Sequence, residues 1–446
     1  MQKFPKLTDP LLTVVFATSP TGLGHLRVTE ALYKGLPPTV SPVLLGAQDP
    51  NVSAVYRFVS LNSFTRGVME FLYASPIDKP LVNWGRKFLR SHTTLLYQQL
   101  KTILSERLVV PKTVLLVAPH AVLGHQLGAI KQRISEEMGV EIILVVQVTD
   151  DSSQPFWYVY DADLLVVPSE YTKEKLSHYG QKAGLPKVPI AVTAYPISPL
   201  FGAEISDAVY QNRLSQVDPE SKSILHMSVP VSGAAVGTKQ IHDYLVSLYC
   251  LIDRVLFHVV SRKAPYTKNF IEEITALPFV HLHTSEHDRT TVHNYEQVYL
   301  EHPISLEITK PSEQSFKVLA TPRERGGAIL LFATPVGGQE YDNLRFMRTH
   351  GFIPNKADTD TLWKLARKGE TITGTGYLEK ARNWRGLRLP ASPREAASFT
   401  YWCYQQKVLL AMMRYARKGE EKENLPNGVD QFWQTVEELL NNKNTL

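Results

Sequence analysis

Short runs of apolar residues alternate along the chain with segments whose apolar residues recur at helical spacing. In the first half, four runs rich in Val, Ile and Leu predict buried strands at 11–17, 113–118, 141–149 and 164–168. Buried strands that alternate with helices are typical of parallel sheets with helices on both faces. The pattern therefore predicts an α/β fold built on a doubly wound sheet.

A second unit of the same kind follows the segment YPISPLF at 195–201, whose two prolines predict a linker. Further strands are predicted at 223–227, 254–260, 278–283, 304–309 and 328–332. From about residue 392, apolar residues return at helical spacing. We expect two Rossmann-like domains, 1–200 and 201–395, that face a cleft, and C-terminal helices at 396–446 that cross back toward the N-terminal domain.

Composition and charge narrow the class of protein. Of the 446 residues, 43% are hydrophobic and 20% charged, so each half can bury a core without disulfides. A net charge of +5 favours anionic partners, but no nucleic-acid-binding motif is present, and nucleic acid is not expected. The sequence contains neither a signal peptide nor an apolar run long enough to span a bilayer. A cytoplasmic protein is expected.

A glycine-containing loop, TSPTGLGHLR at 18–27, follows the first predicted strand. Gly22 and Gly24 would let a ligand approach the backbone and the amino end of the next helix. Arg27 occupies the third glycine position of a dinucleotide fingerprint, which argues against a dehydrogenase. His25 can act as a general base at the mouth of a cleft, or it can cap the helix. The motif alone leaves both roles open.

Two further groups of polar residues invite a metal interpretation. Asp150 and Asp151 follow a strand and could bind a divalent cation, although helix capping is the commoner role of such a pair. His281 and His283 in HLHTSEH would share one strand face, yet no further ligand stands at a suitable spacing. We therefore expect no metal site.

The second half has its richest polar segment at 308–354. Lys310 and Pro311 end a predicted strand, and a helix is expected to begin near Ser312 with N–H groups that could face a diphosphate. The segment PVGGQE then ends the following strand, and Asn343 comes three residues later. Amide and carboxylate groups suit sugar hydroxyls, each of which donates and accepts a hydrogen bond.

The order of these motifs resembles the glycosyltransferase family that includes monogalactosyldiacylglycerol synthase, processive diacylglycerol glucosyltransferases and the peptidoglycan N-acetylglucosaminyltransferase. The likeness covers most of the chain. It rests on the loop that ends in His25, on VTDDSSQPFW (148–157), on VPSE (167–170), on the proline linker, and on a KP turn followed by GQE and asparagine. It implies the GT-B fold of two facing Rossmann-like domains.

The resemblance also implies an inverting, metal-independent transfer of a sugar from a nucleotide diphosphate sugar, commonly a uridine one, to a hydroxyl acceptor that is a lipid or is lipid-linked. No cofactor is expected, since the nucleotide sugar is a co-substrate. Domain 1–200 would bind the acceptor through Gly22, Gly24 and Asp150, with His25 as the base. Domain 201–395 would bind the donor through the following residues: Gly233, Lys310, Pro311, Ser312, Ser315, Gly338, Gln339, Glu340 and Asn343.

Aromatic and basic residues are interleaved at 64–95, a pattern that suits peripheral contact with an anionic membrane or, equally, a buried helix with a basic face. Two alternatives to a transferase stay open. A nucleotide-sugar epimerase can share the fold. A non-catalytic nucleotide-sugar-binding protein is favoured by Ser312 and Glu313, which stand where the family has a glycine pair.

Overall fold

The structure is a computed structural model that describes residues 4–18, 23–45, 79–233, 235, 237–332, 338–374, 376–415 and 421–443. The chain forms two compact units: Met1–Pro199 together with Asn427–Leu446, and Leu200–Pro426. Each unit contains a parallel sheet with flanking helices. This confirms the predicted α/β class with two Rossmann-like halves.

The first unit is built on a six-stranded sheet with the order β2-β1-β3-β4-β5-β6, in which every pairing is parallel. Its strands are β1 (Leu12–Ala17), β2 (Val43–Leu45), β3 (Thr113–Ala118), β4 (Glu141–Gln147), β5 (Leu164–Val167) and β6 (Ile190–Val192). The central strands are almost wholly buried, because in a doubly wound sheet helices cover both faces.

Five helices lie between the strands of the first unit or next to them in the part of the chain that the structure describes. They are α1 (Leu23–Lys34), α2 (Lys79–Ser91), α3 (Thr94–Ser105), α4 (Ala121–Met138) and α5 (Glu170–Lys182). Ser169 caps α5, and its hydroxyl accepts the Thr172 N–H at 3.2 Å. Buried Asp151 in turn accepts hydrogen bonds from the Ser169 and Thr172 hydroxyls. Asp151 thus supports a helix start, although of α5 rather than of the segment that directly follows it.

The second unit repeats this architecture with the strand order β12-β11-β10-β7-β8-β9, again wholly parallel. Its strands are β7 (Leu225–Pro230), β8 (Val255–Arg262), β9 (Val280–Ser285), β10 (Leu306–Thr309), β11 (Ala328–Leu331) and β12 (Gly386–Arg388). A short 3-10 helix, Glu313–Leu319, follows β10.

The helices of the second unit are α6 (Asp207–Gln216), α7 (Thr238–Tyr249), α8 (Lys268–Thr275), α9 (Asp288–Glu301), α10 (Gly338–Thr349), α11 (Lys356–Lys368), α12 (Gly376–Ala381), α13 (Pro393–Gln405) and α14 (Val408–Met413). Trp402 and Cys403 of α13 and Met412 of α14 are buried in the core of this unit. The apolar stripe of the C-terminal segment therefore serves packing.

The final helix, α15 (Gly428–Lys443), belongs to the first unit. Trp433 is fully buried and donates its ring N–H to the Leu32 carbonyl at 2.9 Å. Gln431 accepts the Ala194 N–H at 2.9 Å. Gly428 lies so close to the backbone that an added Cβ would meet the Ala194 oxygen at 2.3 Å. Among the described residues, none of the helices is both long and apolar enough to cross a membrane.

Each sheet has one place where the strand order reverses direction relative to the chain. In the first sheet this switch point lies between β1 and β3, and in the second between β7 and β10. Connections leave adjacent strands there in opposite directions, which opens a crevice outside the carboxyl ends of the strands, where ligands of doubly wound sheets bind. The loops after these four strands are the first places to look for a site.

Candidate functional site

In the first unit, the predicted base His25 lies in the first turn of α1, just beyond the carboxyl end of β1. Its Nδ1 is 3.1 Å from the hydroxyl oxygen of Thr149, which follows β4. Thr149 is itself held in place, because its carbonyl accepts the Tyr195 hydroxyl at 2.9 Å. The His25 side chain is therefore oriented by residues from a second loop of the same sheet edge.

A second histidine stands beside His25. His120 follows β3 and precedes α4, and its ring centroid is 4.4 Å from that of His25. Trp157 also lies near His25, and the centroids of the two rings are 6.4 Å apart. Burial, and then the proximity of His25, keep the pKa of His120 well below its usual range. His120 is thus a neutral imidazole near neutral pH.

The remaining predicted acceptor-side residues flank this pair. Gly24 lies within the first turn of α1 rather than in the turn before the helix, because α1 begins at Leu23. Asp150 is half-buried between Thr149 and Asp151. Gly22 lies outside the described residues. The structure therefore brings Gly24, His25 and Asp150 to one edge of the first sheet.

In the second unit, the predicted donor residues Lys310, Pro311 and Ser312 form the turn between β10 and the 3-10 helix, and Ser315 lies in the first turn of that helix. The backbone N–H and the hydroxyl of Ser315 both donate to the Ser312 carbonyl, at 2.9 and 2.6 Å. Fully buried Asn343 of α10 donates to the Pro311 carbonyl at 3.1 Å. One hydrogen bond thus joins two motifs that are about thirty residues apart in the sequence.

A buried ion pair connects the 3-10 helix that follows this turn to the sheet. Lys317 contacts Glu307 of β10, and the hydroxyls of Tyr295 and Tyr299 on α9 bind both charged groups. A buried charge pair is tolerated only when its remaining hydrogen-bonding capacity is largely met. Phe316 also packs on Phe346 of α10, with ring centroids 5.2 Å apart. The turn therefore has little freedom to move.

The other predicted donor residues lie at the same edge of the second sheet. Gly233 is in the loop after β7, where the Tyr266 hydroxyl binds its carbonyl at 2.9 Å. Further along this loop, Gly237 has a left-handed backbone, with φ of 83°. Gly338, Gln339 and Glu340 form the first turn of α10, which also carries Asn343. All nine predicted donor residues thus follow β7, β10 or β11.

The segment predicted to meet a membrane is described only from residue 79 onward. Arg86 of α2 is buried and donates to the Tyr179 hydroxyl at 2.9 Å and to the Pro155 carbonyl. Arg90 pairs with Asp161. Both cations bind groups of the protein, which favours the alternative of a packed helix for this part of the segment. Lys87 and Phe88 are exposed on the same helix.

Two features of the site are not predicted by the sequence pattern: His120 beside His25, and the hydrogen bond by which Asn343 fixes the Lys310 turn. A sequence signal for His120 exists: it comes two residues after a predicted strand, and His25 also comes shortly after one. Nothing in the local sequence signals that Asn343 binds the Pro311 carbonyl. That contact depends on how α10 packs against the turn.

No protein-family model matches the sequence, and no curated protein shows significant similarity to it. Among solved structures, the chain resembles S. aureus MnaA in a co-structure with UDP, with 9% identity, a TM-score of 0.50 and 96% of each chain covered. A. baumannii MurG has 11% identity and a TM-score of 0.49, over 96% of this chain and 99% of that one. UDP-GlcNAc 2-epimerase from Neisseria meningitidis, bound to UDP-GlcNAc, has 12% identity and a TM-score of 0.48, over 95% and 99%.

At such identities a structural likeness concerns the fold alone. The likeness to MnaA extends over nearly the whole length of both chains, and each half of this chain has its own parallel six-stranded sheet. The chain therefore has the two-domain GT-B fold that its motifs predict.

Proposed function

We propose that this protein is a glycosyltransferase that moves a sugar from a nucleotide diphosphate sugar to a hydroxyl acceptor. The observation that carries the proposal is the placement of His25. This histidine lies at the switch point of the first sheet, with Nδ1 next to the Thr149 hydroxyl and its ring against a neutral His120. A histidine oriented in this way is suited to accept a proton from an acceptor hydroxyl.

A base role for His25 requires the tautomer with the proton on Nδ1, and the Thr149 hydroxyl oxygen can accept that N–H. When Nδ1–H donates to the Thr149 oxygen, the lone pair of the ring is on Nε2. The acceptor hydroxyl gives its proton to Nε2 while its oxygen attacks the anomeric carbon. The bond from that carbon to the diphosphate oxygen breaks, and the nucleoside diphosphate leaves from the opposite face, which inverts the configuration. Neutral His120 adds no positive charge to oppose the protonation of His25.

The second unit is proposed to hold the donor. Lys310, at the switch point after β10, would place a cation near the leaving diphosphate, and the first turn of α10 would offer Gln339 and Glu340 to the sugar hydroxyls. A lysine and backbone N–H groups can offset the charge that develops on the leaving group without a divalent ion. A uridine donor is proposed from the sequence resemblance.

A lipid or lipid-linked acceptor is the finer part of the proposal. It is supported by the order of sequence motifs and by the exposure of Lys87 and Phe88 on α2, a cation next to an apolar ring. The protein would then act on the cytoplasmic surface of a membrane, with α2 in peripheral contact.

The test is a product analysis with purified full-length protein, a panel of UDP-sugars, and vesicles with or without diacylglycerol. We expect UDP release that depends on diacylglycerol, together with a glycolipid detected by mass spectrometry. Conversion of the donor to another nucleotide sugar without any acceptor would show that the protein is an epimerase and not a transferase. A UDP-induced rise in melting temperature without turnover on any hydroxyl acceptor would identify a non-catalytic binding protein.

A further inference from the structure

Five histidines of the second unit lie on neighbouring strands or directly after a helix that packs on them. They are His226 on β7, His258 on β8, His281 and His283 on β9, and His302 directly after α9. In the parallel ladders His258 pairs with Ser228 and with His281, and side chains two residues apart on a strand share a face. The four strand histidines therefore project from one face of the sheet, and His226 and His281 are each the second residue of their strand.

The rings of three of these residues are in direct contact. His226 Nδ1 is 3.0 Å from His258 Nε2, and the ring centroids of His258 and His302 are 4.2 Å apart. One ring nitrogen from each of His226, His258 and His302 lies within 4.8 Å of the others. A tetrahedral zinc ion with Zn–N distances of about 2.0–2.1 Å holds its nitrogen ligands about 3.3 Å apart. The three nitrogens, which now lie within 4.8 Å of one another, would move closer together to bind one ion.

The protonation of the cluster suits a cation. Burial, and then the neighbouring histidines, lower the pKa of His258 to about 2. The pKa values of His226, His283 and His302 are lowered for the same two reasons, although nearby Glu301 raises those of His283 and His302. Rings that stay neutral at pH 7 keep the lone pairs that a metal ion needs.

The cluster also contains hydrogen-bonding capacity that the described residues do not meet. His258 is fully buried, and its Nδ1 has no hydrogen-bond partner among them. The buried Nε2 of His283 likewise lacks one within the described part of the chain. Buried polar atoms without a partner are uncommon in folded proteins, and a bound ion or water often satisfies them.

We propose that His226, His258 and His302 form a site for a zinc ion or a similar late transition metal. Three imidazoles select zinc, nickel, cobalt or copper, whereas magnesium and calcium prefer carboxylate and carbonyl oxygens. The fourth position would take water or His283. His226 and His302 are half-buried, so an ion can enter from the surface.

This site is separate from the proposed chemistry. His226 is the second residue of β7, whereas Gly233 and Lys310 follow the carboxyl ends of β7 and β10. The metal ion would link β7, β8 and the segment between α9 and β10, and it would not contact the donor. The metal-independent transfer proposed above and this site can therefore be tested independently.

The experiment uses full-length protein made without a histidine tag and stripped with a chelator. Zinc chloride is titrated by calorimetry in the presence of a competing chromophoric chelator, and cobalt(II) absorption reports the coordination geometry. We expect one zinc per chain and a cobalt spectrum typical of tetrahedral coordination. His302→Gln should weaken zinc binding more than about 100-fold, since loss of an outer-shell partner alone often costs about 10- to 100-fold.

A matched control is available on α9. His293 is exposed and outside the cluster, so His293→Gln should bind zinc like the wild type. Because His258 is buried, its replacement can disturb folding, and His226→Gln serves as the second test variant. Absence of stoichiometric zinc binding, or equal affinity in H302Q, H226Q and H293Q, would overturn the proposal. Zinc binding that raises the melting temperature of the wild type but not of H302Q would support it.

Discussion

The carboxyl edges of the two sheets are alike in topology and different in what they carry. At the first edge, the segments that follow the neighbouring strands β1, β3 and β4 bring together His25, His120 and Thr149. At the second edge, a short turn is fixed by Asn343 and anchored by the Lys317–Glu307 pair, and what it offers is a cation and backbone polar groups. One edge is suited to proton transfer and the other to rigid binding.

This difference matches the division of work in group transfer. The hydroxyl that attacks needs a base, whereas the group that leaves as a diphosphate needs a rigid site that stabilises negative charge. Two copies of one architecture can thus diverge by changing only the residues that follow the strands. Substitutions at the first edge should therefore change kcat, and substitutions at the second edge should change the affinity for the donor.

The largest effect is expected from His25→Ala. Loss of the proposed base should lower kcat for sugar transfer by about 10²- to 10⁴-fold, while UDP should raise the melting temperature as it does in the wild type. His178→Ala, at an exposed position on α5, is the control for removing a histidine from this unit. Steady-state kinetics with the donor saturating provide the measurement. Wild-type turnover in H25A would show that the first edge does not supply the base, and the proposed difference between the two edges would be wrong.

The second edge is tested by Asn343→Leu. The change keeps the number and branching of the side-chain heavy atoms and leaves the buried Pro311 carbonyl without its N–H donor, which should cost about 1–3 kcal/mol of stability. The turn should also lose its fixed position, so KM for the donor should rise more than kcat falls. Thermal unfolding and donor titration measure the two effects.

Tyr341→Leu, on the exposed side of α10, serves as the control for N343L. A loss of stability in N343L with an unchanged KM would show that Asn343 supports the fold alone. The second edge would then not depend on the Lys310 turn for binding.

A smaller effect is expected at Thr149. Thr149→Val removes the hydroxyl that orients His25 Nδ1 and should lower kcat about tenfold, equivalent to about 1.4 kcal/mol. Thr149→Ser keeps a hydroxyl and should recover most of the activity. The acidic limb of the pH–rate profile should move in T149V but not in T149S, because only the former changes the partner of the ring. Identical profiles for both variants would assign Thr149 a packing role.

The sequence was a good guide wherever burial dictates the residue pattern. Nine of the strands follow apolar runs that were predicted. Eight of them lie in the interior of the sheets, and β9 is an edge strand of six residues, none of which is fully buried. β2, β6 and β12 were not predicted, since each has three residues and lies at a sheet edge, where little apolar surface is buried.

Contacts between distant segments were beyond the reach of the sequence pattern. His25 was identified because it follows a strand and a glycine loop, but its Thr149 partner comes from a strand that begins more than a hundred residues later. The sequence places His281 and His283 on one strand face but shows no further ligand at a suitable spacing. His226, His258 and His302 become their neighbours only because β7, β8 and β9 lie side by side in the sheet.

A last contrast concerns a buried histidine of the first unit, His125. His125 of α4 is fully buried, its Nε2 is 3.0 Å from the Phe156 carbonyl, and burial and then the nearby Arg86 lower its pKa to about 3. The folded state keeps this ring neutral, whereas the unfolded chain takes up a proton below pH ~6.5. The stability that the neutral ring contributes is thus present above that pH and is lost as the pH falls. Between pH 7.5 and 5.5 the loss should be about 1.4 kcal/mol.

His125→Gln isolates this contribution, because glutamine keeps an N–H donor for the Phe156 carbonyl and cannot titrate. Native-state hydrogen exchange of the α4 amides reports the opening free energy of the first unit by itself. The decrease between pH 7.5 and 5.5 should be about 1.4 kcal/mol smaller in H125Q than in the wild type, and His178→Gln should behave like the wild type. An equal decrease in all three proteins would show that the first unit does not hold His125 neutral, and the same doubt would extend to neutral His120 beside the proposed base.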